Sequence, residues 1–171
     1  MIKRTTAKWS LKEFSVPTGS RGRGALIVFL WDFLNFVAFS NSPKPLYFFR
    51  NYLLRMFGAK IGRGVKIRPT ARICYPWKLE INDYSWIGDY VDLYNLEPIY
   101  IGKNSVISQY SKLITGSHDY RSEDFKYRNA PIRVGDNVWV SIDCLVLPGA
   151  IVSDHSFISP RSIIKSEASS T

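Results

Sequence analysis

Histidine is scarce in this sequence: among 171 residues only His118 and His155 occur. A three-histidine zinc site therefore cannot come from one copy of the chain, and two cysteines, Cys74 and Cys144, supply no Cys/His cluster in its place. No metal is expected. Two cysteines also cannot form a disulfide framework; they read as reduced thiols of a cytoplasmic protein, Cys144 as a small residue within a repeat. Long apolar runs are missing as well. Residues 25–39 form an apolar stretch broken only by Asp32 and Asn35, short of the roughly 20 residues needed to span a bilayer. The first 17 residues have charges but no apolar core, and no cleavage site of small residues follows, so no signal peptide is expected. Acidic residues are few, 14 against 23 Lys and Arg, for a formal net charge of +9. That balance favours an anionic partner such as phospholipid or a phosphorylated cofactor or substrate. The basic residues are spread along the chain without a nucleic-acid-binding motif, so no nucleic acid is expected.

What the chain does have is a six-residue rhythm. From 134 to 164 every sixth residue is aliphatic: Val134, Val140, Val146, Val152, Ile158 and Ile164. Four residues after each of the first five comes a small or apolar residue: Val138, Cys144, Ala150, Ser156 and Ser162. This period fits neither an α-helix nor an ordinary strand. It fits a parallel β-helix, in which each hexad is one side of a prism, the aliphatic points inward and the small residue sits at a tight corner. The same rhythm runs through Ile61, Ile67, Ile73 and Leu79, slips by two to Ile81, Ile87, Leu93 and Ile99, and slips again to Ile101, Ile107 and Leu113. Such slips predict small bulges at corners. The resulting division is an N-terminal arm with two helices over 1–58, a β-helix of five or six turns over 59–165 with an inserted loop at about 115–133, and a polar tail at 166–171. A coil cannot close its own ends. The N-terminal helices are expected to cap the first turn, and nothing in the polar tail looks like a cap for the last.

Gly19, Gly22 and Gly24 alternate with Arg21 and Arg23, which reads as an extended connector. Residues 25–39 are expected to form a helix buried against the β-helix or a sister subunit. The alternative is a helix lying in the plane of a membrane, with Arg21, Arg23 and Lys44 near lipid phosphates. Ser42 and Pro43 look like an N-cap and first-turn proline. The helix they open is expected to run to about Phe57, with Leu46, Phe49, Leu53 and Phe57 on its apolar face and Arg50, Asn51 and Arg55 off it.

His118 lies where the regular coil gives way to the inserted loop, a place where function concentrates, and histidine suits proton transfer near neutral pH. On spacing alone a loop histidine bonded to a backbone carbonyl remains equally open. His155 lies at a corner inside the regular repeat and reads as exposed and structural.

The register resembles that of the left-handed β-helix acyltransferases. The stretches Phe14-Ser15-Val16-Pro17, Leu54-Arg55-Met56-Phe57-Gly58-Ala59-Lys60-Ile61-Gly62, Tyr75-Pro76-Trp77-Lys78-Leu79, Val106-Ile107-Ser108-Gln109 and Thr115-Gly116-Ser117-His118-Asp119 sharpen the match. They resemble the colanic acid biosynthesis acetyltransferases, from about residue 10 to 165. The resemblance implies O-acetyl transfer from acetyl-CoA to a sugar hydroxyl in exopolysaccharide or other surface-polysaccharide synthesis, with His118 as general base. It further implies an oxyanion donor at a backbone N–H near Ser141, acceptor-binding groups among Asn95, Glu97 and Asp119, and a CoA path near Trp139, Ser141, Gly149, Ala150, Ser159 and Lys165. Asp119, Glu97 or a backbone carbonyl would orient His118. A homotrimer with sites between subunits follows from the same resemblance, as does a cytoplasmic enzyme that meets a sugar or lipid-linked oligosaccharide at the inner face of the cytoplasmic membrane, touching it through residues 25–39. One departure stands out: the family's proline-containing C-terminal segment, which closes the last coil and helps hold CoA, has no counterpart here. Alternative readings are an O-acetyltransferase for another acceptor, a free sugar or an antibiotic, and a non-catalytic trimeric scaffold lacking the C-terminal cap.

Overall fold

A computed structural model describes residues 8–12 and 14–166; most of the polar tail lies outside the described residues. Fifteen short strands form three parallel sheets of five, which are the sides of a triangular prism. The first sheet stacks Lys60–Ile61, Leu79–Ile81, Ile99–Ile101, Ile132–Val134 and Ile151–Val152. The second stacks Lys66–Ile67, Trp86–Ile87, Val106–Ile107, Trp139–Val140 and Phe157–Ile158. The third stacks Arg72–Ile73, Asp92–Tyr94, Lys112–Ile114, Leu145–Val146 and Ile163–Ile164. Each side thus takes one hexad, and the chain makes five coils. The aliphatics of the repeat are buried inside, with Ile67, Ile87, Leu93, Ile107, Leu113, Val140 and Val146 fully enclosed.

The two slips lie at the third corner, where the chain passes from the third sheet to the first. One is a short 3₁₀ turn, Pro76–Lys78; the other falls at 95–98. They lengthen the coil by two residues. Lys60 pairs with Glu80, and Glu80 with Tyr100, whereas Arg133 pairs with Ile151. Small residues at the other corners have a positive reason to be serine. Ser85 Oγ donates to Gly102 O at 2.5 Å and accepts the Ser105 N–H at 3.0 Å; Ser105 and Ser111 repeat the arrangement one coil on. A buried hydroxyl with both partners filled carries no desolvation penalty.

Two helices close the start of the coil. Helix α1 spans Ala25–Leu34 and continues as a π-helical turn, Asn35–Phe39; α2 spans Tyr47–Met56. Each coil donates its N–H groups to the carbonyls of the next, as Gly62 to Ile81 and Arg72 to Val91. The carbonyls of the first coil therefore face away from the stack and need other donors. The helices supply them. Arg55 donates to Ile61 O through Nε at 3.0 Å and Nη2 at 2.7 Å, Asn51 Nδ2 to Val65 O at 2.8 Å, Arg50 Nε to Ile67 O at 2.7 Å, and Trp31 Nε1 to Ile73 O at 3.0 Å.

This overturns the expected orientation of α2. Arg50 and Asn51, placed by periodicity off the packed face, are buried on it, because the open carbonyl edge calls for donors rather than methyl groups. The helix also starts later than Ser42-Pro43 suggested. Ser42 Oγ and the carbonyls of Pro43 and Lys44 instead receive the remaining guanidinium hydrogens of Arg50, at 2.6–2.9 Å.

Candidate active site

The inserted loop leaves the third sheet after Ile114 and returns to the first at Ile132. Its stem is a narrow ribbon: Ala130 N–H donates to Thr115 O, Arg128 N–H to Ser117 O, and Asp119 N–H to Lys126 O, all at 2.8–3.0 Å. Thr115 ties that ribbon to the coil below, donating through Oγ1 to Tyr94 O and accepting the Glu97 N–H. His118 lies on the ribbon opposite Tyr127.

The imidazole of His118 is held on several sides. Its Nδ1 is 2.6 Å from Phe125 O. A carbonyl can only accept, so Nδ1 carries a proton, and in the neutral imidazole Nε2 holds the lone pair. Nε2 has no hydrogen-bond partner among the described residues. The Phe125 ring stacks on the imidazole at 4.3 Å, Phe14 meets it edge-on at 5.2 Å and Tyr127 tilts against it at 4.9 Å. Phe125 has φ of 47°, a left-handed conformation that a bulky residue adopts only where its surroundings enforce it. That turn is what aims its carbonyl at His118.

Phe14 belongs to the N-terminal arm, which folds back across the loop. Trp9 packs on Phe125 at 5.4 Å and Ser10 N–H donates to Glu123 O. Further along, Trp77 Nε1 donates to Arg21 O and Lys78 Nζ to Ser20 O, both at 2.7 Å. Gly22, with φ of 75°, lets the arm lie against Trp77. Sequence reasoning assigned no role to Phe14, Phe125 or Tyr127. Phe14 stands in one of the stretches that carried the family resemblance, and that was the available signal.

Of the three groups offered to orient His118, the backbone carbonyl holds the position. Asp119 is turned to its own loop, with Oδ1 accepting the Arg121 N–H at 3.0 Å. Glu97 is half-buried, and its carboxylate has no hydrogen-bond partner among the described residues. Asn95 is buried, and both ends of its amide are spent on the Tyr75 backbone, at 3.0 and 2.7 Å, where they hold the shape of the slipped corner.

An Escherichia coli K12 protein bearing the name colanic acid biosynthesis acetyltransferase WcaF is 48% identical over 154 residues, 90% of this chain and 85% of its own length. The chain belongs to the colanic acid biosynthesis acetyltransferase family. No protein-family model matches it. Solved structures agree on the fold. A hexapeptide-repeat acetyltransferase from Vibrio cholerae, determined with acetyl-CoA, superimposes with a TM-score of 0.74 at 20% identity, over 85% of this chain and 81% of that one. A maltose O-acetyltransferase from Clostridium difficile gives 0.64 at 17%, over 85% and 86%. The prism is thus the left-handed hexapeptide β-helix of these enzymes.

Within this acetyltransferase fold the residues named from the sequence fall into two groups. His118, Asp119, Asn95, Glu97, Gly149, Ala150 and Lys165 lie along the third corner. Trp139 lies on the second sheet, 52% exposed, with its indole N–H on Ser108 Oγ at 2.9 Å; Ser141 and Ser159 lie at the second corner. One whole side of the prism separates the groups. Ala150 is fully buried and Ser141 nearly so, while Ser159 and Lys165 are exposed. The Ser141 N–H is spent on Ile158 O at 3.2 Å. The next amide, Ile142 N–H, has no partner among the described residues and lies beside a groove of about 700 Å³ formed by Tyr90, Tyr110, Lys112, Pro160 and Arg161.

Proposed function

We propose that the chain transfers the acetyl group of acetyl-CoA to a sugar hydroxyl in surface-polysaccharide synthesis, with His118 as general base. The observation that carries this is the Nδ1–Phe125 O hydrogen bond, which in the neutral imidazole puts the lone pair on Nε2, an atom without a hydrogen-bond partner among the described residues. Nε2 takes the hydroxyl proton as the sugar oxygen attacks the thioester carbonyl carbon. The carbon–sulfur bond of the resulting tetrahedral species breaks, the His118 imidazolium returns the proton to the departing thiolate, and an acetate ester and free CoA remain. A positioned base supplies about 10²–10⁴-fold. The names of the Escherichia coli relative and of the two solved acetyltransferases support the donor and the class of acceptor.

The oxyanion donor we assign to Ile142 N–H, free where that of Ser141 is not. Because Ile142 and His118 lie at different corners, the site is completed by setting the second corner of one copy against the third corner of the next, as a closed homotrimer would. Lys165, exposed on the third corner, is a suitable point charge for a CoA phosphate. Helix α1 supports a peripheral membrane position for the enzyme and a lipid-linked acceptor. Only Val28 and Trp31 of its residues are buried, and Phe29, Phe33 and, in the following turn, Phe36 are 64%, 54% and 74% exposed, with Arg21, Arg23 and Lys44 flanking them. Flotation with phosphatidylglycerol vesicles checks this; equal recovery of wild type and a Phe29→Ser, Phe33→Ser, Phe36→Ser variant would sink it.

The test of the function is acetyl-CoA turnover, read as thiol release, for wild type and His118→Ala over a panel of sugars. We expect a loss of at least about a hundredfold with the melting temperature kept. Equal turnover in both proteins would remove His118 from the chemistry.

A further inference from the structure

Beside His118 lies a second feature that acid–base chemistry does not use. A cavity of about 130 Å³ opens between the N-terminal arm and the third corner, walled by Arg21, Tyr75, Tyr94, Leu96, Tyr127 and Asn129. A single side chain links it to the base: the Tyr127 ring forms one wall and also packs on the imidazole. The opposite wall is part of the same corner: Leu96 and Tyr94 are the atoms that a side chain at Gly116, two residues before His118, would strike.

The charge of this cavity is one-sided. No carboxylate lines it. Arg21 forms no ion pair and no side-chain hydrogen bond among the described residues, although its backbone is fixed by Trp77. Lys78 is not part of the wall: its ammonium is spent on the carbonyls of Ser20 and Leu96, which leaves Arg21 as the cation of the cavity. Burial pushes the Tyr75 hydroxyl up, with Arg21 the strongest opposing influence, and burial raises Tyr94 as well. A pocket with one unpaired guanidinium, three phenolic walls and one amide offers hydrogen-bond donors and ring faces, and it lacks the carboxylates that would bind a neutral sugar through its hydroxyl protons.

We infer that this cavity binds an anionic group of the acceptor, a carboxylate or phosphate carried by the sugar, through Arg21, so that the enzyme selects acidic over neutral sugars. The inference rests on the reading of the third corner as the acceptor side of an acetyltransferase site. A guanidinium recognises either anion with two parallel hydrogen bonds, which fixes orientation as well as affinity. Docked there, the sugar has its hydroxyls beside Tyr127 and hence beside His118.

The experiment compares 4-nitrophenyl β-D-glucuronide, 4-nitrophenyl β-D-glucoside and glucose 1-phosphate as acceptors for wild type, Arg21→Gln and Arg21→Lys. The wild type should favour at least one anionic probe over the glucoside by tenfold or more in kcat/KM, and the two anionic arms separate carboxylate from phosphate. In Arg21→Gln that ratio should fall at least tenfold, mainly through KM, with partial recovery in Arg21→Lys. Equal kcat/KM for all three probes in the wild type, or an unchanged ratio in Arg21→Gln, would overturn the inference. His118→Ala should lose all acceptors together, so a failure of the base assignment is read separately from a failure of the Arg21 ratio. If no probe is acetylated, thermal stabilisation decides: anionic probes that raise the melting temperature no more than the glucoside, or raise it equally in Arg21→Gln, overturn the proposal.

Discussion

At the scale of single residues, what each polar group can do is set by what its partners leave free. His118 has one nitrogen committed to a carbonyl and one available; Asn95 has neither end available. Cys74 is close to the site's corner, yet burial, reinforced by Asp92, pushes its thiol up to about 11, and Cys144 is buried within the prism. Cys74 thus stays protonated at pH 8, and a thiol reagent there should register released CoA with negligible signal from the native protein. His118 was a candidate from sequence because histidine is rare here and this one falls at the break in the rhythm. Its orienting group could not, since a backbone carbonyl has no residue type and Phe125 reaches it only through a left-handed turn.

At the scale of elements the hexads were fully legible, since neither a helix nor an ordinary strand calls for an aliphatic at every sixth residue. The two-residue slips were also legible, as the bulges at the third corner. Helix α2 was not read correctly, because its partner is an edge of carbonyls and amphipathic reasoning assumes an apolar one. Arg50 shows the difference. It is fully buried and gives hydrogen bonds to four oxygens, those of Ile67, Ser42, Pro43 and Lys44. Replacing it with methionine leaves those acceptors without donors at about 1–3 kcal/mol for each that water cannot reach. We expect Arg50→Met to cost about 3 kcal/mol or more, a fall of roughly 6–12 °C in melting temperature. Arg50→Lys should recover only part, because one ammonium cannot span the fork. A loss below about 1 kcal/mol by denaturant titration would show that the edge is satisfied some other way.

At the scale of the whole molecule, the proposed division of the site between two corners makes a prediction that no single-chain property does. His118→Ala removes the proposed base from the third corner. Ile142→Pro removes the free N–H from the second, at a turn position before left-handed Asp143 that proline accommodates. Each variant alone should be nearly inactive. Refolded together, they should regain a measurable fraction of wild-type turnover, because some interfaces then combine two intact corners. No recovery from mixed oligomers shown to have formed would place both groups within one chain's site. The time at which parts meet follows from the same architecture. The coils join residues 18 to 20 apart along the chain, as Lys60 with Glu80 and Arg133 with Ile151, or 33 apart across the inserted loop, as Tyr100 with Arg133, so they can zip in order from the floor laid by α1 and α2. The arm is different: Trp9 and Phe14 sit on Phe125, His118 and Tyr127, more than a hundred residues further along the chain. The arm therefore docks only once the third coil and the inserted loop are in place, and in refolding turnover should lag the return of β-sheet signal by the time that closure takes.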